Sequence, residues 1–202
     1  DPLQEYLPEF NTANDPQRAT VTVRMLLTHT SGETGDVDLK DPWGLDAADK
    51  AEGIRRALTT PLESRPGQGF RYSDINFILL GALIENLTGE PEDVYVDQHV
   101  FEPLGMNDSR FLPPAKACGP HTTSGAAIAW APAHTEYEPA DCPADAWSTD
   151  LLSRIAPTAR DEEGRADPTK NPNLDRLLRG TVHDTTSRRM GGVAGHAGVF
   201  ST

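Results

Sequence analysis

Between positions 75 and 87 the chain is apolar at almost every residue, Asn76, Glu85 and Asn86 being the polar exceptions besides Gly81. A stretch that is hydrophobic nearly all round reads as a buried helix, with Ser73 or Asp74 as its cap and Thr88-Gly89 as its end. Elsewhere the apolar residues are spaced more sparsely. Leu26 and Leu27, expected to face inward, mark a helix over 23–30 behind the N-cap candidate Thr22, and Gly32 ends the turn that follows. Ala47, Ala51, Ile54 and Leu58 recur at helical spacing over 47–58. Asp46 is the expected cap of this second helix, Arg55 and Arg56 face water, and Pro61 stops it. Pro66-Gly67-Gln68-Gly69 reads as a turn that delivers Phe70 and Tyr72 in extended conformation. Pro91 suits the first turn of a helix over 92–101, closed by Pro103 and Leu104-Gly105, and Asp184 can cap a short one over 185–190 ended by Gly191-Gly192. The acidic, proline-bearing run 160–175 reads as a solvated loop. The pattern is a helical front half and a loop-rich back half, without internal repeats.

Charge narrows the partners. Eighteen basic residues stand against thirty-one acidic ones, a net charge of −13, so phosphate backbones and anionic membrane surfaces are repelled. Nucleic acid is excluded as an expected partner. No apolar run approaches the eighteen to twenty residues of a membrane span. The 202 residues suffice for one domain with a core.

Three separated stretches carry a resemblance. Arg71-Tyr72-Ser73-Asp74 and the helix-like run to Gly89 resemble the second motif region of the serine β-lactamase and penicillin-binding-protein superfamily, in its class C and esterase-like branch. There a tyrosine opens a Tyr-Ser/Ala-Asn triplet. Thr22 to Gly32, TVRMLLTHTSG, is similar to that family's helix-ending element, and Val100 to Met106, VFEPLGM, to the turn downstream of its tyrosine helix. The tail 179–202, with RGTVHD and GGVAGHAGVFST, is similar to the segment before a further family helix. The resemblance implies an α+β fold, here a partial β-lactamase/transpeptidase-like one: mainly the helical region, with long loops and few strands. It also implies that 1–202 is an internal part of one catalytic domain.

The family nucleophile, the serine of Ser-x-x-Lys, has no counterpart in this chain. Lys40, Lys50, Lys116 and Lys170 are preceded three positions earlier by Val37, Ala47, Pro113 and Asp167. No Gly-x-Ser-x-Gly elbow is present either. Asp1 to Pro8 resembles the linker that follows the family's nucleophile helix, so the serine is expected upstream. His196-Ala197-Gly198 matches the family's third motif, but the Val199 to Thr202 sequence after it fits the mid-domain segment better.

Tyr72 is the candidate catalytic residue. A tyrosine just ahead of a helix sits near unpaired N–H groups and the positive end of the helix dipole, which favour a phenolate. A free tyrosine near pKa 10 is a poor base at neutral pH, so the role depends on nearby cations. Asp74, Ser73 and His196 are candidates for substrate contact or for supporting Tyr72. Asp74 stands where relatives have asparagine. A carboxylate only accepts hydrogen bonds, so it either pairs a lysine near the nucleophile or caps the helix. His196, in a glycine-rich stretch, is expected to line the cleft. His29 and Ser31 read as helix-end structure. His183, Asp184 and His196 invite a metal, but without His-Glu-x-x-His or a nearby cysteine none is expected. No cofactor is implied.

Compared with the family, 113–150 looks like a loop insertion. It holds the only cysteines, Cys118 and Cys142. A disulfide between them would suit an exported protein, while two separate thiols would suit a reducing compartment. The family's habits place the protein in the periplasm or outside the cell. The implied parent is a serine acyl hydrolase of β-lactamase, D-alanyl carboxypeptidase or esterase type, acting on a small-molecule or peptidoglycan-peptide substrate. The alternative is a non-catalytic module of the same fold that binds cell-wall peptide or a protein partner. A further expectation is that the apolar faces of 75–87 and 23–27 are left partly uncovered within this chain.

Overall fold

The computed structural model describes residues 1–130, 142–163, 165, 167–171 and 173–202. Its α-helices are α1 (Val23–Leu27), α2 (Lys50–Thr59), α3 (Asp74–Thr88), α4 (Glu92–Val96) and α5 (Thr185–Arg189). The strands are short: β1 (Arg110–Phe111), β2 (Ala117–Cys118), β3 (His121–Ser124), β4 (Ala127–Trp130), β5 (Trp147–Ser148), β6 (Ala159–Arg160), β7 (Leu177–Leu178) and β8 (Val199–Phe200). They form two-stranded pairs, antiparallel for β1 with β8, β3 with β4 and β6 with β7, and parallel for β2 with β5. The architecture is mixed α+β, helices first.

The central element is α3. Ser73 enters it in extended conformation, and Gly89 leaves it at φ +73° while donating to Glu85 O. A left-handed exit of this kind is nearly cost-free only for glycine. Ile75, Ile78, Leu79, Ala82 and Leu83 are buried against Leu3, Leu7, Phe10 and Val21 from the N-terminal segment, Leu26 of α1, Ala57 of α2 and Met190 after α5. The first twenty-one residues fold back over the face from Ile75 to Leu83, while Leu87 at the end of the helix is 61% exposed, so the face expected to be partly bare is covered along most of its length. Pro2 bridges to Thr22, and Leu3 N–H donates to Val21 O. Buried Arg18 fixes the same segment by donating to Phe10 O, Leu58 O and Thr60 O.

The chain 191–198 lies close against the other side of α3. A Cβ on Gly81 would sit 2.6 Å from Glu92 Oε2 and 3.0 Å from Gly195 N, and one on Gly195 would strike Phe77 O. Two glycines thus set how near His196 comes to the start of α3.

Three expectations need correction. The first helix ends at Leu27 instead of Thr30, and Leu27 is 57% exposed. The chain turns there at His29, with φ +54°, so only Leu26 points inward. The second helix begins three residues later than expected, at Lys50, because Asp49 and not Asp46 accepts from Glu52 N–H. The run 160–175 is not simply solvated. Asp161, Asn171 and Asn173 are buried. Asp161 and Glu163 hold Arg188 at 3.0 and 2.6 Å, and Glu163 also binds Arg189. Opposite charges draw an acidic loop down onto α5, a tertiary event that a composition-based reading does not register.

Cys118 and Cys142 are joined as a disulfide, which settles their open pairing. A second apolar cluster, Leu112, Ile128, Trp147 and Leu152, lies beside it. Part of the expected insertion, residues 131–141, lies outside the described residues. Among the described residues no helix is long and apolar enough to cross a membrane.

Candidate active site

The chain 28–32 and the chain 64–73 are laid side by side ahead of α3. Gly67 N–H donates to Thr30 O and Arg71 N–H to His29 O. His29 is the pivot. Its Nδ1 lies 3.2 Å from Ser73 N and 3.1 Å from Asn76 Nδ2. Two donors converge on that nitrogen, so the ring proton belongs on Nε2. Asn76 is completely buried and accepts from Ser31 Oγ at 2.5 Å. His29, Asn76 and Ser31 form one hydrogen-bonded unit that locks the start of α3 to the end of α1. The helix-end reading of His29 and Ser31 agrees with this. Asn76 was not singled out in the sequence, although a lone amide near the start of an apolar helix is the signal that could have found it.

Tyr72 rests on this unit. Its ring centroid is 4.7 Å from that of His29, whose other neighbours are Phe70 at 5.7 Å and Phe77 at 5.2 Å. Tyr72 is 65% exposed and Phe70 73% exposed. The tyrosine is thus open to solvent on a rigid platform at a helix N-terminus.

Ser73, one residue on, is 1% exposed, and its Oγ is buried with no hydrogen-bond partner among the described residues. It points into the protein, not into a cleft. Asp74 is half-buried and donates its backbone N–H to Gly35 O at 2.7 Å. Burial raises the Asp74 carboxyl above its ordinary range, and nearby Asp184 adds to that; His196, a hydrogen bond from Tyr72 and His29 pull it back.

His196 is brought to this region but does not line open space, since its side chain is 3% exposed. Its Nε2 lies 2.8 Å from Asp184 Oδ1, and its Nδ1 is buried without a partner among the described residues. Burial alone would lower the His196 pKa, but the hydrogen bond and charge of Asp184, helped by Asp74 and Asp36, more than offset this and raise it. For Asp184 burial pushes upward and His196 outweighs it, so the net shift is downward. Asp184 also caps α5 by accepting from Ser187 N–H. Asp36, raised by burial, accepts from Thr186 Oγ1 at 2.8 Å.

His183, by contrast, is exposed. Among the described residues no group of three or more histidine, cysteine, aspartate or glutamate side chains is arranged to hold a metal ion. The arrangement presents the Tyr72 ring to solvent at the N-terminus of α3.

The Beta-lactamase family description matches residues 1–202. Over 209 aligned residues the chain is 30% identical to a protein of Escherichia coli (strain K12) provisionally named a D-alanyl-D-alanine carboxypeptidase; the match covers all of this chain and 41% of that protein. It is also 37% identical, over 123 residues, to Esterase EstB of Burkholderia gladioli, covering 55% of this chain and 31% of the esterase. A solved D-stereospecific amidohydrolase from Streptomyces sp. aligns over 61% of this chain and 39% of its own, at 25% identity and a TM-score of 0.45. The chain spans about two-fifths of the length of the carboxypeptidase-named relative. Matched by the family description from its first residue to its last, the chain belongs to the beta-lactamase family.

Proposed function

We propose that this chain is the tyrosine-bearing part of a serine acyl hydrolase that works through an acyl-enzyme, on an ester, a β-lactam or a D-alanyl peptide. One observation carries the reading: an exposed tyrosine mounted on the hydrogen-bonded His29–Asn76–Ser31 unit at the N-terminus of the central helix α3. In the reaction, a serine hydroxyl supplied by the rest of the protein adds to the acyl carbonyl. Tyr72 takes up the hydroxyl proton and returns it to the leaving group. Water then attacks the acyl-enzyme, and Tyr72 acts as base for it in turn. Asp74, beside Tyr72, steadies the tyrosine hydroxyl. Ser73 supports the site from within through its backbone bond to His29.

The same reading treats 1–202 as an internal part of one catalytic domain, with 113–150 as a loop inserted in it. It places the protein in the periplasm or outside the cell, a setting favoured by the Cys118–Cys142 disulfide.

The test is the complete protein, assayed with a chromogenic ester, a cephalosporin and a D-alanyl-D-alanine peptide, and probed with a fluorophosphonate. Turnover of one substrate class, with labelling on a serine of a Ser-x-x-Lys segment, is the expected result. A complete protein that has no such segment and no turnover, yet binds cell-wall peptide, would instead be the non-catalytic module.

A further inference from the structure

A cavity of about 430 Å³ opens between the β1–β8 pair and the chain 151–158, and none of the residues around Tyr72 lines it. Part of its wall is apolar. Leu112 belongs to the second apolar cluster, and Leu151, Ile155 and Phe200 pack on that cluster while staying only half-buried. All four line the cavity, so apolar surface that the cluster leaves uncovered is gathered there. The walls are tied in place by the protein itself. Arg179 Nη1 donates to Ile155 O at 2.6 Å, Ile155 N–H to Leu151 O at 3.0 Å, and Thr158 Oγ1 to Thr181 O at 2.9 Å. Across the cavity, Arg110 pairs with Phe200 in the β1–β8 register, and Ser109 Oγ lies 2.7 Å from Ser201 Oγ.

Charge identifies the occupant. Acidic residues outnumber basic ones 31 to 18 in this chain, and arginines such as Arg55, Arg56, Arg188 and Arg189 are held by carboxylates. Arg110 and Arg154, which both line the cavity, have no ion pair among the described residues; Arg110 Nη2 donates only to Asn107 O, at 2.5 Å. Asp108 is the one acidic side chain in the lining. Two guanidiniums against one carboxylate leave the cavity a net positive charge beside its apolar wall. A guanidinium fork matches a carboxylate in geometry as well as in sign. A polyanion fits worse, since it would meet Asp108 and the negative field of the chain. We propose that this cavity is a binding site for an apolar monocarboxylate, with its hydrocarbon part on Leu151, Ile155 and Phe200 and its carboxylate on Arg110 and Arg154. The volume is of the order that small-ligand clefts have, and apolar walls with a few polar groups are their usual make-up. The site is separate from the reaction assigned to Tyr72 and stands whether or not that reading holds.

The test is calorimetric titration of octanoate into the complete protein. Saturable binding of one octanoate per protein is expected. Octanol, which has the chain without the charge, should bind about tenfold more weakly or worse, and Arg110→Gln and Arg154→Gln should each cost about tenfold in octanoate affinity, the scale of a hydrogen bond to a charged group. Ala156→Trp fills the cavity from an exposed position of its lining, and should abolish binding with little change in melting temperature. Tyr72→Phe should leave octanoate binding as it is. Absence of saturable binding to the folded complete protein, as would follow if its own polypeptide filled the cavity, overturns the proposal. So does octanol binding as tightly as octanoate, or undiminished octanoate binding in Ala156→Trp or in both arginine variants. Loss of binding in Tyr72→Phe would put the octanoate at the reaction site and sink the proposal as well. Should an arginine variant fail to fold, the octanol comparison and Ala156→Trp still decide.

Discussion

Tyr72 and Asn76 lie on the first turn of the same sequence motif, yet they do opposite things: one faces water and the other is sealed beneath it. Tyr72→Phe keeps the ring on His29 and deletes the hydroxyl. In the complete enzyme turnover should fall by about 10²-fold or more, the usual scale for losing a general acid/base group, with the melting temperature nearly unchanged. Steady-state kinetics beside a thermal melt checks both. Asn76→Leu has the reverse profile. It takes the acceptor from the Ser31 hydroxyl proton and removes a donor from His29, so stability should drop by about 1–3 kcal/mol in urea unfolding, and activity with it. Glu33 offers a pH test. It is buried with no hydrogen bond to either oxygen among the described residues, Arg18 standing 3.9 Å away. Burial pushes it up to about 7 against the pull of Arg18. The folded state therefore binds this proton more tightly than the unfolded chain. That contribution is complete at acid pH and is lost as pH climbs from the ordinary carboxyl range to about 7. Glu33→Gln should lose less stability than the parent over that interval; parallel curves for the two proteins would refute it.

At the scale of elements, α3 and α5 differ in how far sequence alone describes them. For α3 every local signal agrees: an extended Ser73, an acidic first turn, a continuous apolar run and a glycine exit. Its limits were readable to within a residue. For α5 the cap Asp184 and the closing Gly191 and Gly192 were also legible, but the burial of Arg188 and Arg189 was not. Their partners lie on the chain around Asp161 and Glu163, some twenty-five residues earlier. A buried ion pair broken on one side is costly, because the remaining charge is left uncompensated. Arg188→Met should therefore destabilise by about 3–5 kcal/mol. Asp161 and Glu163 would lose their shared partner, and the 160–175 chain should become protease-sensitive before the helical part unfolds. The disulfide acts more locally. It closes a loop of sequence separation 24, worth about 3 kcal/mol on the chain-entropy account. Reduction should loosen β2 and β5 in hydrogen exchange while protection on α3 persists.

Across the whole molecule, the N-terminal segment, α1, α2, α3 and the chain after α5 share one core. The small strand pairs sit apart, around the second apolar cluster. The chain carries a net charge of −13, so polyanions should bind it weakly, and the repulsion should fade with salt. Produced alone, the 202-residue chain should not be labelled by a fluorophosphonate or a penicillin probe, since no serine in it has lysine three residues on; stoichiometric labelling would overturn this. Sequence alone determined the family, the α3 helix, the missing nucleophile and the place of Tyr72, because motif order, periodicity and capping are local and survive in one dimension. Only the tertiary structure decided that Ser73 turns inward, that His196 is a buried partner of Asp184 instead of a cleft wall, that the acidic run folds onto α5, and that the N-terminal segment covers α3. Each of these depends on groups distant in the chain meeting in a medium of low dielectric, where one charge or one unpaired hydrogen bond outweighs the local propensity of the residues that carry it.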